Sequence, residues 1–255
     1  MADSIFDRPL ENKYHEEAPV TDFEAFRKIV ESRRSIRVYE DRAVPDDVVR
    51  ECLRLALLAP TSSNLQCWEF HWVKNPEIKA QLAKACFGQP AATTAPVLMV
   101  AVARPNLWRR HAKEMAELLE SQGAPKAVLS YYKKLVPAAY GLMGPFGVLS
   151  PLKWLVINLM GLFQVMPRDP MSPWGLKTWA HKTVALACEN LMLAFRAAGY
   201  DTCPMEGFDE VRVKRLLKLP RGSSVTMVIS AGRRAVGGVY GARVRFPESR
   251  FLIEH

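Results

Sequence analysis

The sequence predicts an α+β fold in which helices surround a small sheet. Helix signals recur along the chain, where a capping residue is followed by apolar residues at helical spacing. Two short apolar runs, residues 97–102 and 225–230, have the length and partly β-branched composition of buried strands. Because helical stretches separate these runs, we expect helices clustered around a few strands.

The elements are expected in a definite order along the chain. Thr21 or Asp22 caps a first helix, and Pro45 and Asp46 begin a second that Pro60 closes. The remaining expected elements are a strand through Val73, a helix over 76–86, a strand over 97–102, a helix over 106–121, a helix over 178–198, a helix over 209–217 and a strand over 225–230. Residues 1–20 and 237–255 are expected to be extended arms.

Two of these helices carry apolar residues that need a partner surface. Phe23, Phe26, Ile29 and Val30 form one face of the first helix, and the second is expected to turn Val48, Val49, Cys52, Leu53, Ala56 and Leu57 inward. The helix over 178–198 is apolar nearly all round. We therefore expect it to be enclosed, either in the core or at a subunit interface.

Composition limits the classes of protein. A chain of 255 residues fits one large domain or two small ones, and 49% hydrophobic residues is enough for a substantial core. The net charge of +9 suits an anionic cofactor, NAD(P)H phosphates or an anionic membrane surface. Nucleic acid is disfavoured, because the basic residues are spread along the chain and no nucleic-acid motif occurs.

The cysteines and the N-terminus favour the cytoplasm. Five cysteines, an odd number without Cys-x-x-Cys spacing, argue against a disulfide framework and a zinc site. The acidic, polar N-terminus does not resemble a signal peptide. No metal-ligand spacing, hydrolytic triad or phosphate-binding glycine loop is found.

Two segments look suited to one flat molecule that carries a phosphate. Arg33-Arg34-Ser35-Ile36-Arg37 places three guanidinium groups and a hydroxyl within five residues, which suits a phosphate dianion. Residues 60–68, Pro-Thr-Ser-Ser-Asn-Leu-Gln-Cys-Trp, set hydroxyls and amides directly before a strand. Short polar side chains at that position can meet the edge of a heteroaromatic ring.

With two further segments, the chain resembles the FMN-dependent nitroreductase family. Residues 204–209, Pro-Met-Glu-Gly-Phe-Asp, are similar to the family's Pro-x-Glu-Gly-Phe-Asp loop, and residues 243–247 to its basic C-terminal segment. The resemblance covers roughly residues 20–103 and 176–250. It implies a mixed, antiparallel-rich sheet wrapped by helices, and an interlocked homodimer with FMN at the subunit boundary.

The resemblance also implies roles for individual residues. Arg33, Arg34, Ser35, Arg37, Arg243 and Arg245 would hold the FMN phosphate and ribityl chain, and Pro60, Thr61, Ser62 and Asn64 would lie against the flavin, from either subunit. Pro204, Met205, Glu206 and Gly207 would approach the ring, with a Glu206–Gly207 backbone N–H directed at the flavin N5, and Gln89 would reach its ribityl or pyrimidine edge. Cys67 stands where the family usually has Pro. His181 and Cys203 are read as structural residues.

The implied function is an FMN oxidoreductase that takes hydride from NAD(P)H and reduces a nitroaromatic, a quinone or a similar acceptor by ping-pong kinetics. Two alternatives stay open. One is a specialised flavin enzyme that dehalogenates or oxidises an aromatic or lipophilic substrate. The other is a non-catalytic, membrane-associated flavin-binding protein.

Residues 104–177 have no counterpart in the family's minimal form and are read as an insertion within a single domain spanning 1–255. From 135 to 166 the only ionisable side chain is Lys153, but glycines and prolines interrupt the run, and its longest clean piece is too short to span a bilayer. Three interpretations remain: a helical hairpin over the core or dimer interface, a lid over the flavin, or a membrane-surface contact through Trp154, Leu155, Leu159, Leu162 and Phe163.

Overall fold

The computed structural model describes residues 15–255, in which helices cover both faces of a four-stranded sheet. The helices are α1 (Phe23–Ser32), α2 (Asp46–Ala56), α3 (Pro76–Ala85), α4 (Pro90–Thr93), α5 (Trp108–Ser121), α6 (Lys126–Ser130), α7 (Val136–Tyr140), α8 (Ser150–Met160), α9 (Pro173–Ala197) and α10 (Glu210–Leu216). The strands are β1 (Trp68–Val73), β2 (Val97–Ala103), β3 (Asp201–Met205) and β4 (Ser224–Gly232). The predicted α+β class is confirmed.

The sheet has the order β1-β2-β4-β3, and its three strand pairs are antiparallel. Outside these four strands, an isolated parallel bridge joins Ser35 to Thr202. Trp68 pairs with Ala103, which pairs with Ser224, so these three residues lie at one end of the sheet. Asp201 pairs with Gly232 at the opposite end.

Two hydrophobic cores lie on the two faces of the sheet, because successive residues of β2 point to opposite sides. Val97, Met99, Ala101 and Ala103 face the first core with α2, α9 and part of the insertion. Leu98, Val100 and Val102 face the second core with α3 and α10. Since β2 is buried along its whole length, it forms the centre of the molecule.

The structure differs from the predicted boundaries in two elements. The long helix α9 begins at Pro173 rather than at Thr178, because the Ser172 side chain accepts a hydrogen bond from Gly175 N and caps the helix before Pro173. Residues 201–205 form a strand that the sequence did not predict. Pro204 is tolerated there because β3 is an edge strand.

Several predicted inward-facing residues are exposed in the single chain. No residue of α1 is buried, and Phe23 and Phe26 are 69% and 52% exposed. Leu57, expected to face the core from the second helix, is exposed, as is Leu186 on the helix expected to be enclosed. Burial of Phe23, Phe26 and Leu186 would therefore require another molecule.

The terminal arms are described only in part. Residues 1–14 of the predicted N-terminal arm lie outside the described residues, whereas residues 15–20 are irregular and exposed. At the C-terminus, residues 241–255 are exposed and contain a single short helical turn, Glu248–Arg250, as an extended arm would.

Residues 104–177, which the sequence predicts to be an insertion and which are called the insertion below, are helical and broken, as their glycines and prolines predict. The insertion contains α5 to α8, with a π-helical stretch from Tyr131 to Leu135 between α6 and α7. Among residues 15–255, none of the helices combines the length and the apolar character that crossing a bilayer demands.

Candidate functional site

A pocket rich in arginine is built where the two ends of the chain meet beside β3. Residues 33–37 leave α1 in an extended conformation, and Ile36 N donates to Thr202 O over 3.1 Å. On the other side Arg37 N donates to Gly238 O over 2.7 Å. Residues 33–35, 37 and 239–245 enclose a cavity of about 290 Å³, which we call the arginine pocket.

Gly238 is required for this close approach of the two chain segments. A Cβ atom at position 238 would lie 2.4 Å from Val38 O and 3.0 Å from Ala235 O. Both neighbours are backbone atoms that cannot rotate away. A glycine therefore allows the C-terminal segment to lie directly against residues 36–38.

The arginine pocket has positive charge that no acidic side chain neutralises. Within residues 15–255, none of its guanidinium groups makes an ion pair; they belong to Arg33, Arg34, Arg37, Arg243 and Arg245. Arg33 Nη1 is moreover buried and has no hydrogen-bond partner in that part of the chain. Because an unpaired buried guanidinium nitrogen is unfavourable, the pocket fits a bound anion such as a phosphate.

Two of the five arginines also hold the chain ends together. Arg243 Nη2 donates to Glu31 O and Arg33 O over 2.6 and 2.7 Å, and so caps the last carbonyls of α1. Arg34 Nη2, from the N-terminal segment, donates to Gly241 O of the C-terminal segment over 2.6 Å. Arg33, Arg37, Arg245 and Ser35 remain as the groups most available to a ligand, although Arg245 Nη1 also donates to the neighbouring Val244 O over 3.0 Å.

The predicted Glu206–Gly207 loop lies at the far end of β3 from the arginine pocket. Pro204 is half-buried and Met205 buried, whereas Glu206 and Gly207 are exposed. The Gly207 N–H has no acceptor among residues 15–255. Extended chain from Thr202 to Gly207 spans about 16 Å, so a molecule with a charged tail and a ring could contact both places along β3.

Gln89 holds the carbonyl side of this loop. Its Nε2 donates to Gly207 O over 3.0 Å. A Cβ atom at Gly207 would meet nothing closer than Gln89 Nε2 at 3.7 Å, and the backbone there is not left-handed. The fold itself therefore does not require glycine at position 207.

The second predicted segment, residues 60–66, is a compact turn before β1 that we call the polar loop. Thr61 Oγ1 accepts from Gln66 N over 3.1 Å, and Gln66 Nε2 donates to Asn64 Oδ1 over 3.1 Å. Ser63, Asn64 and Gln66 adopt positive φ angles of 53°, 49° and 48°. Pro60, Ser62 and Asn64 are exposed.

Three tyrosines of the insertion hold the polar loop, and sequence reasoning missed them. The Tyr140 hydroxyl lies 2.9 Å from Ser62 Oγ, the Tyr131 hydroxyl lies 2.6 Å from Ser63 Oγ, and Tyr132 donates to Ser63 O. His111 Nδ1 also donates to Leu65 O over 2.7 Å. The only sequence signal was the presence of hydroxyl-bearing rings in a largely apolar segment.

Cys67, which stands where the family usually has proline, places a buried thiol directly after the polar loop. Burial raises the pKa of Cys67 to about 12, so this thiol is protonated at neutral pH. Its sulfur lies 3.5 Å from Leu65 O. Gln66, the residue before it, bonds within the loop.

An apolar cavity of about 720 Å³ adjoins the polar loop. Its apolar lining includes Leu53, Leu65, Trp68, Phe70, Met115 and Leu118. Its polar lining consists of Asn64, Gln66, Glu69, His71, His111 and Glu114. A cavity of this size and composition is typical of sites for small organic molecules.

Within one chain, the arginine pocket and the polar loop lie at diagonally opposite corners of the sheet. The polar loop leads into Trp68 on edge strand β1, at the end where β4 starts with Ser224. Ser35 bridges Thr202 on the other edge strand, opposite Ala231 near the end of β4. Strand spacings place Trp68 and Thr202 about 14 Å apart across the sheet and about 20 Å apart along it, and the arginine pocket lies beyond Thr202.

His181 and Cys203, which the sequence analysis assigned to structural roles, lie in or near the protein interior. His181 Nδ1 and Nε2 lie 2.9 and 3.1 Å from the hydroxyls of Thr226 and Ser224, and burial, with Lys177 nearby, lowers the pKa of this imidazole. Burial raises the pKa of the Cys203 thiol, although the positive charges of Arg37 and Arg33 act in the opposite direction. Residues 15–255 contain no cluster of His, Cys, Asp and Glu suited to a metal ion.

Comparison with known proteins adds independent information. A "NADH dehydrogenase" of Thermus thermophilus is 28% identical over 222 residues, which cover 87% of this chain and 89% of that protein. Solved structures share the fold. YdfN from Bacillus subtilis, described as a nitroreductase, has a TM-score of 0.72 at 22% identity and covers 92% of this chain and 100% of its own.

A second solved structure comes from Exiguobacterium sibiricum and is described as a nitroreductase in complex with FMN. It has a TM-score of 0.65 at 23% identity and covers 93% of this chain and 99% of its own. The model of the Nitroreductase family matches residues 30–233. Because that match spans well over half of the sequence, the chain belongs to the nitroreductase family of oxidoreductases.

Proposed function

We propose that the protein is an FMN-dependent oxidoreductase that takes hydride from NAD(P)H and passes it to an electron-poor acceptor, such as a nitroaromatic or a quinone, by ping-pong kinetics. The observation that carries this proposal is the arginine pocket of about 290 Å³, whose five guanidinium groups have no acidic partner among residues 15–255. The relative named NADH dehydrogenase supports a nicotinamide donor. Bound FMN would supply the hydride-transfer chemistry.

The arginine pocket would bind the phosphate of the cofactor. Arg33 has a buried Nη1 atom that no group of residues 15–255 hydrogen-bonds, and Ser35 and Arg37 follow on the same extended segment. Each charge-assisted contact to a phosphate contributes roughly 1.5–3 kcal/mol. Arg34 and Arg243 would act mainly by holding the two chain ends together, since both donate to backbone carbonyls across the pocket.

The Glu206–Gly207 loop would receive the ring. The Gly207 N–H is exposed and without an acceptor among residues 15–255, so it is available to a ring nitrogen. The absent side chain at position 207 keeps the surface open, and Gln89 orients the peptide by binding Gly207 O. These residues orient and bind, and no acid–base pair is invoked.

We infer that the complete site needs two subunits. The polar loop leads into β1, and the arginine pocket lies beyond β3. These two strands are about 14 Å apart across the sheet, and the sites are about 20 Å apart along it, so the two cannot enclose one cofactor within one chain. In a homodimer the partner's copy of the loop would supply the second wall. The exposed apolar face of α1, with Phe23 and Phe26, offers a surface that a second copy would bury.

We also infer that the insertion forms a lid on the acceptor side. Tyrosine hydroxyls of the insertion bond Ser62 and Ser63, and α5 supplies Met115 and Leu118 to the apolar cavity of about 720 Å³. This arrangement supports a small aromatic or lipophilic acceptor. The insertion would exclude water and hold the polar loop in place.

Spectroscopy tests the proposal. The purified protein, supplied with FMN, is expected to show the flavin absorbance bands, and anaerobic NADH or NADPH should bleach them. Later addition of a nitroaromatic or a quinone should restore the colour, as ping-pong kinetics require. A protein that binds no FMN would refute the cofactor assignment, and a yellow protein that neither nicotinamide bleaches would refute the proposed activity.

A further inference from the structure

Helix α8 of the insertion has the reverse of the usual burial pattern. Its single buried side chain is Lys153, although the helix is otherwise predominantly apolar. Lys153 Nζ donates to three backbone carbonyls, those of Ala139, Gly141 and Pro170, over 2.6, 3.0 and 2.9 Å. This lysine fastens the helix to the rest of the insertion, and the apolar side chains are left on the outside.

The exposed side chains form a continuous apolar surface. Phe163 is 89% exposed, Leu162 is 74% exposed and Trp154 is 57% exposed. With Leu152, Leu155 and Leu159 they make up what we call the α8 face. Exposed apolar surfaces of this kind mark contacts with a protein or a membrane, because water is a poor solvent for them.

The segment of the chain that carries the α8 face has an excess of positive charge. Residues 121–188 contain seven basic side chains and a single acidic one, Asp169, so most of the chain's net charge of +9 comes from this stretch. Lys133 and Lys182 pair with Glu120 and Asp169. Within residues 15–255, no ion pair involves the other exposed or half-buried cations, Lys126, Lys134, Arg168 and Lys177.

This combination of charge and apolar surface selects one kind of partner. A second copy of the same face would bring positive charge against positive charge, which opposes association. An anionic bilayer would instead neutralise the lysines and accept the aromatic and aliphatic side chains at headgroup depth. We propose that the α8 face docks on the surface of an anionic phospholipid membrane.

Docking would use the two parts of the surface differently. The cations attract the protein to the anionic membrane over a distance that salt shortens. Trp154, Leu162 and Phe163 then leave water for the headgroup region. Binding therefore requires both the cations and the apolar side chains, and separate substitutions can remove each of them.

Vesicle flotation tests the proposal with the full chain. The wild type is expected to float with vesicles of phosphatidylcholine and phosphatidylglycerol, and to float much less with pure phosphatidylcholine or in high salt. Trp154→Glu with Phe163→Glu should lower the partition coefficient about tenfold or more. Lys126→Gln with Lys134→Gln should lower it only on the anionic vesicles.

Val20→Glu with Val211→Glu is the matched control, because it adds the same two negative charges at exposed valines outside the insertion. That variant should float nearly as well as the wild type. Failure of the wild type to float on anionic vesicles, or an equal loss in the control variant, would overturn the proposal. If sedimentation velocity shows that only the Trp154/Phe163 variant changes its oligomeric state, the α8 face is a subunit interface and the proposal is wrong.

Discussion

The two halves of the candidate site are built in opposite ways. The arginine pocket has charged groups in excess of partners, with a buried Arg33 Nη1 that nothing within residues 15–255 satisfies. The polar loop is saturated by internal hydrogen bonds, from Gln66 to Asn64 and from the insertion's tyrosines to Ser62 and Ser63. The arginine pocket therefore has donors that can still bind an anion, whereas the polar loop is held in place by hydrogen bonds within the chain.

This difference suggests how affinity and positioning are divided. Groups without internal partners gain most when an anion arrives, so the arginine pocket should dominate cofactor affinity. A loop that is already ordered loses little entropy on binding and should act by placing atoms accurately. Changes in the two halves should therefore affect different measured quantities.

The largest effect is expected from removing charge in the arginine pocket. Arg33→Ala with Arg34→Ala removes one available guanidinium and one that donates to Gly241 O. Since the phosphate contact of Arg33 contributes roughly 1.5–3 kcal/mol, and loss of Arg34 also releases the segment at Gly241 that lines the pocket, FMN affinity should fall about 100-fold or more. Flavin fluorescence titration measures the loss.

Arg54→Ala is the control for that experiment. It removes a guanidinium that pairs with Glu51 on the exposed surface of α2 and lies outside the arginine pocket. Its FMN affinity should equal that of the wild type. Full flavin occupancy in the Arg33/Arg34 variant would mean that the cofactor binds elsewhere.

Gly207→Val should separate catalysis from folding. The added side chain meets only Gln89 Nε2 near 3.7 Å, so the free energy of unfolding should change by less than about 1 kcal/mol. It would nevertheless displace a ring at the Glu206–Gly207 loop, and turnover should fall about 100-fold. Steady-state kinetics beside urea unfolding test both parts, and Gly207→Ala should give an intermediate rate. Unchanged turnover in the valine variant would remove this loop from the site.

Tyr140→Phe tests the role of the polar loop. Loss of the hydroxyl removes its hydrogen bonds to Ser62 and Ser63, which should lower the free energy of unfolding by about 1 kcal/mol. FMN affinity should change far less than in the Arg33/Arg34 variant. A variant with unaltered stability but much weaker FMN binding would reverse the proposed division of roles.

The smallest effect is a pH dependence from His181, which belongs to neither half. Burial lowers the pKa of His181 in the folded protein from its ordinary value near 6.5, so the unfolded chain binds the proton more tightly. The stability contributed by the neutral imidazole is therefore lost as pH falls from about 6.5 towards the lower folded pKa. Denaturant unfolding at several pH values should show this slope, and His181→Gln should flatten it. An equal slope in both proteins would assign it to other groups.

The sequence predicted the fold wherever local signals agree with the tertiary structure. As expected, Asp22 caps α1, residues 76–85 form the helix α3, and the apolar run 97–102 lies in the buried strand β2. It missed β3, because Pro204 argues against a strand and only the edge position makes it acceptable. The early start of α9 was missed although Ser172 and Pro173 form a recognisable N-terminal signal.

For the site, the motifs predicted which residues to examine but not how they are arranged. That residues 33–37 meet residues 239–245 follows from long-range contacts such as Arg243 to Glu31 O, which no local pattern encodes. The same is true of Tyr131 and Tyr140 bonding the polar loop. The exposed α8 face was anticipated as apolar, whereas the inward direction of Lys153 became visible only in the structure.

Comparing the affinities of FMN and riboflavin tests the central claim most directly, because the two ligands differ only by the phosphate that the arginine pocket is proposed to hold. The wild type should bind FMN at least about 100-fold more tightly than riboflavin. Arg33→Ala should lower that ratio by about tenfold or more, whereas Arg54→Ala should preserve it. Equal affinity of the wild type for the two ligands, or an unchanged ratio in Arg33→Ala, would contradict the account.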